Sequence, residues 1–116
     1  MATTHAKTLS DGTRWLNSGW HIFPIDLELI GVERQVIAER KHCKHMCYTK
    51  ETYEISSIRS KRGNVYPTLL RRRKSYNTQG RRDEIETVDR CLAAPHTDDP
   101  VLDRYLDLAF QFTLAN

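Results

Sequence analysis

The sequence predicts an α+β fold: a small antiparallel sheet with a basic β-hairpin, packed on a C-terminal helical hairpin. Three observations carry that expectation. Residues 55–82 hold nine Lys and Arg and no Asp or Glu, and the residues leading into and out of them alternate with the period of a strand. Ser60-Lys61-Arg62-Gly63-Asn64 is turn chemistry placed between two such segments. The last third places apolar residues at helical spacing, with a stop at Pro95 and a restart at Thr97-Asp98-Asp99-Pro100.

A chain of 116 residues supplies one modest hydrophobic core. The expected organisation is a single domain over 1–116, with 1–10 flexible, a basic β-hairpin over 52–78 and an acidic helical hairpin over 81–114. At 39% hydrophobic and 28% charged, the composition is that of a globular chain in water. No apolar run approaches the ~18 residues of a membrane span. Met1 to Ser10 has no apolar h-region, so neither a membrane partner nor a secretory signal is expected. Three irregularly spaced cysteines make no disulfide framework, which predicts a reducing compartment: cytoplasm, or nucleus in a eukaryotic host.

The elements follow in order. Ser10-Asp11-Gly12 predicts a cap for a helical turn through Leu16, with Trp15 and Trp20 as packing anchors on either side of its end. Ile25, Leu27 and Leu29 alternate with Asp26, Glu28 and Ile30 as in a half-buried strand. Gly31 interrupts, and residues 32–47 have two readings. They fit a return strand, or a helix with Val32, Val36, Cys43 and Cys47 near one face; strand followed by helix is the preferred order. Thr52–Ser60 and Val65–Tyr76 are the hairpin strands, and Pro67 places the second at an edge or a bulge because it cannot donate to a ladder. A helix is expected from about Arg82 to Ala94, with Ile85, Val88 and Leu92 as its stripe and Asp83, Glu84 and Glu86 at its positive end. A second helix follows Pro100 and carries Val101, Leu102, Tyr105, Leu106, Ala109, Phe110 and Phe112.

Charge is segregated along the chain. Residues 1–54 carry seven acids and seven bases, 55–82 nine bases, and 83–116 eight acids against Arg90 and Arg104. Such asymmetry speaks of partners and not of fold. Arrays of Arg and Lys bind phosphates by counterion release and by the planar guanidinium fork, and tyrosines stack on unpaired bases. The sequence therefore predicts a small nucleic-acid-binding protein, DNA or RNA, that acts without a cofactor or metal and is not an enzyme. Its expected contact residues are Arg59, Lys61, Arg62, Tyr66, Arg71, Arg72, Arg73, Lys74, Tyr76, Arg81 and Arg82.

Competing explanations use the same residues. Basic strands also serve as solvated edges, and the acidic C-terminal third can neutralise them within the chain or across a homodimer of opposite-charge halves. On that view the chain is a compact regulator or inhibitor, of virus- or phage-accessory type, that grips an acidic surface of a nucleoprotein or an enzyme. The sequence holds two further constellations. His42, Cys43, His45 and Cys47, with Cys91 and His96 far downstream, offer zinc donors, but the spacings match no compact zinc motif and the cysteines read as core residues. Pro24-Ile25-Asp26 followed by Glu39-Arg40-Lys41 resembles the metal-dependent nuclease pattern PD…(D/E)xK. That resemblance implies two carboxylates on Mg²⁺ and a lysine orienting the attacking water, with Ile25 as a departure from the pattern.

Overall fold

A computed structural model describes residues 14–44, 46–77 and 84–115. They form one six-stranded antiparallel sheet followed by one α-helix. The strands are β1 (Arg14–Trp15), β2 (His21–Ile22), β3 (Gln35–Lys44), β4 (Cys47–Arg59), β5 (Val65–Asn77) and β6 (Glu84–Arg90), and the helix is α1 (Pro100–Ala115). Strand order equals sequence order, so every strand pairs only with its neighbours in the chain.

The long β4 and β5 strands pair from Cys47 opposite Asn77 to Arg59 opposite Val65. The turn between them closes through Ser60 and Asn64, with Gly63 at φ +88°. Pro67 lies inside β5, opposite Ser57. The Leu69 carbonyl accepts from the Cys91 N–H, so the odd-numbered backbone groups of β5 point towards β6. The nitrogen of Pro67 therefore points to that side too, beyond Leu70, where β6 pairing stops. The missing donor costs the sheet nothing there, and β5 is a local edge at that point.

Four expected elements differ. Residues 84–90 are β6 and not a helix, so the C-terminal helical hairpin is replaced by a strand and one helix. Glu84-Ile85-Glu86-Thr87-Val88-Asp89-Arg90 also reads with period 2, and two of its three acids lie opposite bases: Glu86 opposite Lys74 and Asp89 opposite Arg71. Cross-strand charge complementarity and β-branched Ile85, Thr87 and Val88 outweigh the helical spacing of the same residues. Within 32–47, residues 35–44 are strand β3, with a bulge between Val36 and Ala38 that places both Ile37 and Ala38 in the core. The expected strand around Ile25–Ile30 is instead a 3-10 turn, Leu27–Leu29, whose first turn is capped by Asp26 accepting from the Glu28 N–H. Of the expected helical turn through Leu16, Arg14–Trp15 is strand and residues 10–13 lie outside the described residues, as do Arg81 and Arg82.

Helix α1 covers one face of the sheet. Leu102, Tyr105, Leu106 and Ala109 pack with Tyr53, Ile55, Leu69, Ile22, Ile37 and Trp20 in the core. Asp99 fixes the start of the helix, its Oδ1 accepting from the N–H groups of Val101 and Leu102 and its other oxygen from the Ser18 hydroxyl. Tyr105, buried, donates its hydroxyl to the Phe23 carbonyl. No described helix is long and apolar enough to cross a membrane.

Candidate nucleic-acid interface

Strand alternation divides the basic stretch between two faces. Residues opposite each other in an antiparallel pair share a face, and successive residues on one strand do not. Arg71 and Arg73 lie opposite Tyr53 and Glu51, on the face that α1 covers. Tyr66, Arg72, Lys74 and Tyr76 lie on the other face, opposite Ile58, Thr52, Lys50 and Tyr48. The expected contact set is therefore not one surface.

The array is also largely neutralised inside the sheet. Arg71 and Arg40 each reach Glu51 at 3.1 Å. Burial pushes the Glu51 carboxyl up, but those two guanidiniums outweigh it and hold the group below the usual carboxylate range. Arg72 donates to Glu54 at 2.8 Å, and Arg34 and Glu86 complete that network. The hydrogen bond it donates to Glu54 is the main reason the Arg72 guanidinium holds its proton more tightly than usual. Lys74 lies 3.5 Å from Glu84 and 3.4 Å from Glu86. Arg59 donates to the Gly63 carbonyl at 3.2 Å within the turn. Among the described residues, Lys61 and Arg62 at the turn and Arg73 on the strand make no ion pair.

The face that α1 leaves uncovered carries features that charge counting missed. Trp15 stacks on His21 at 4.2 Å between ring centroids, and His21 meets Phe23 at 4.4 Å, so three rings run across the start of the sheet. At the far end of β4 and β5, Tyr48 and Tyr76 meet at 4.8 Å. Between them lies a depression of about 230 Å³ lined by Phe23, Arg34, Lys50, Thr52, Arg72 and Lys74, among others. Lys41 lies opposite Lys50 on the same face, and Glu39 takes both, at 3.6 and 3.2 Å. Tyr66 is held by Arg90, whose guanidinium carbon sits 5.5 Å from the ring centroid. The signal for Tyr48, Lys50 and Thr52 was present in the sequence as period-2 alternation in phase with Glu54. Phe23 and His21 carried none, because their neighbours in space are 14 and 18 residues away in the chain, on β3.

The other constellations do not assemble. Asp26 caps the 3-10 turn and exchanges hydrogen bonds with Gln35, whereas Glu39 lies on β3 between two lysines. Cys43 and Cys47 are exposed, contrary to the core expectation. Cys43 lies opposite Tyr48 and Cys47 opposite Asn77, so they occupy opposite faces, while Cys91 is half-buried against the core and His45 lies outside the described residues. Among the described residues no cluster of three or more His, Cys, Asp or Glu side chains could hold a metal ion. Comparison with known proteins finds no family model, no curated protein and no solved structure that matches this chain.

Proposed function

We propose that this chain binds single-stranded nucleic acid on the uncovered face of its sheet. The observation that carries the reading is the co-location on that face of two aromatic groups, Trp15–His21–Phe23 and Tyr48–Tyr76, with Arg34, Lys41, Lys50, Arg72 and Lys74 between them. Unpaired bases stack on aromatic side chains, and cations between the rings meet the phosphates that join those bases. Trp15 at 70% exposed and Tyr76 at 39% offer ring faces to a ligand. A duplex is a poorer fit, because its bases are already stacked on one another. Lys61, Arg62 and Arg73 add unpaired positive charge that steers a polyanion towards the sheet.

The test is a titration of labelled single- and double-stranded oligonucleotides at two salt concentrations. Tight, salt-dependent binding of the single-stranded form, weakened by Trp15→Ala and by Tyr76→Ala, is the expected result. Lys61→Ala with Arg62→Ala should reduce the salt slope on a single strand by about 1.4, roughly 0.7 for each lost phosphate contact. Arg71 and Arg72 are unsuitable for that purpose, since each holds a buried carboxylate. Absence of binding at physiological salt overturns the proposal in favour of a protein partner, the reading that in-sheet neutralisation of the arginines supports.

A further inference from the structure

The depression between β3, β4 and β5 holds a buried hydroxyl with nothing to bond to. Thr52 is 4% exposed, and its Oγ1 has no hydrogen-bond partner. An unpaired buried hydroxyl is costly, and it marks a site where a ligand atom completes the bonding. Four of the residues around that hydroxyl are cations, Arg34, Lys50, Arg72 and Lys74, drawn from three separate parts of the chain. Carboxylates offset most of their charge but do not use all of their N–H donors. Glu54 is shared by Arg34 and Arg72, Glu39 by Lys41 and Lys50, and Glu86 by Arg72 and Lys74, with Glu84 also on Lys74. Guanidinium and ammonium groups still have N–H bonds to spare after such pairing, and none can accept.

A second depression, of about 160 Å³, adjoins the first through a shared wall, Glu39, and is lined also by Trp15, His21 and Lys41. Its rings include His21, whose Nε2 is buried and also lacks a partner. One hollow is therefore cationic with a spare hydroxyl, and the next is aromatic with a spare ring nitrogen. Phosphate and base stand in that same order in a nucleotide, with the sugar hydroxyls between them, where Glu39 can accept.

We infer that this pair of depressions is a site for a nucleotide bearing a phosphate monoester, taken from a phosphorylated strand end or as a free mononucleotide. The inference rests on the nucleic-acid reading above and narrows it to an end. Cations that converge on one hollow suit one multiply charged group, whereas a row of singly charged diesters suits cations spread along a track. A monoester carries close to two negative charges at neutral pH and three acceptor oxygens, enough for Thr52 and two or three of the cations at once. The base then lies on the open face of Trp15, the exposed outer ring of the Trp15–His21–Phe23 stack.

The experiment compares one short single-stranded oligonucleotide with and without a 5′-phosphate by fluorescence anisotropy. Adenosine 5′-monophosphate and adenosine serve as competitors, and a 3′-phosphorylated oligonucleotide reports which end is taken. The expected result is that a terminal phosphate tightens binding by about tenfold, as a set of charge-assisted contacts would, and that the monophosphate competes where adenosine does not. Thr52→Val keeps the shape and removes the hydroxyl, and should shrink the preference; Lys50→Gln should shrink it further. Circular dichroism and thermal melting verify that both variants fold. Equal affinity for phosphorylated and unphosphorylated strands overturns the inference and leaves the nucleic-acid reading standing. Binding of the monophosphate alone supports the inference and overturns that reading, and binding of neither overturns both.

Discussion

Arg72 donates to Glu54 across the β4–β5 ladder at 2.8 Å, and Glu54 is fully buried beneath it. A carboxylate with no access to water survives in a sheet only if donors surround it, and Arg34 supplies the rest. Arg72→Ala should therefore destabilise the fold by about 1–3 kcal/mol, the cost of leaving a buried acceptor short of a partner. Adding Glu54→Gln should recover part of that loss, because a neutral amide is cheaper to bury than an under-paired charge. Urea unfolding midpoints of the two variants decide it.

Stability should fall in acid, and Glu51 tells why. Its carboxyl titrates below the usual range in the folded chain, the Arg40 and Arg71 guanidiniums overcoming the upward push of burial. A depressed folded pKa adds stability that is fully present above the unfolded value and is lost as pH falls through the folded one. Denaturation midpoints should thus be flat near neutrality and decline below about pH 4.5. Glu51→Gln should be less stable at pH 7 and should decline less steeply.

Asp99 both starts α1 and ties it to the β1–β2 loop through Ser18. Asp99→Ala should cost about 1 kcal/mol, in the range of other lost helix caps. Asp99→Asn retains acceptors for both N–H groups and should lose less. Thermal melting followed at 222 nm, a helix-sensitive wavelength, reads the difference.

Gly63 adopts φ +88° at the tip of the β4–β5 turn, and a Cβ there would meet nothing within 4 Å. The cost of Gly63→Ala is then backbone strain alone, about 1 kcal/mol. Gly63→Asn should cost less, since asparagine tolerates the left-handed region. A larger loss measured by chemical denaturation would mean that the turn packs against something.

The turn at 60–64, the strands on either side of it and the capped helix after Pro100 were legible because each is written in local chemistry: a glycine where φ is positive, alternation, an aspartate before a proline. Residues 84–90 misled because Ile85, Val88 and Leu92 suit a helix face as well as Ile85, Thr87 and Asp89 suit a strand face. Only the partner decides, and the partner is β5, whose Arg71 and Lys74 lie opposite Asp89 and Glu86. The candidate interface was half legible for a similar reason. Tyr66, Arg72, Lys74 and Tyr76 could be named from composition, but their separation from Arg71 and Arg73 needed strand phase. Phe23 and His21 join the face only through pairing with β3, which no local pattern announces.

Sequential strand order has a consequence for how this chain acquires its structure. From β3 onwards each strand finds its partner after a short loop, so loop-closure entropy is small at those steps and the sheet can be laid down in the order of synthesis. The helix is different, because its partners Tyr53, Ile55 and Leu69 lie tens of residues upstream. Until residues 100–115 have left the ribosome those side chains face water. A sheet without α1 thus has a greasy back, and the helix is what keeps that face from meeting a neighbour's.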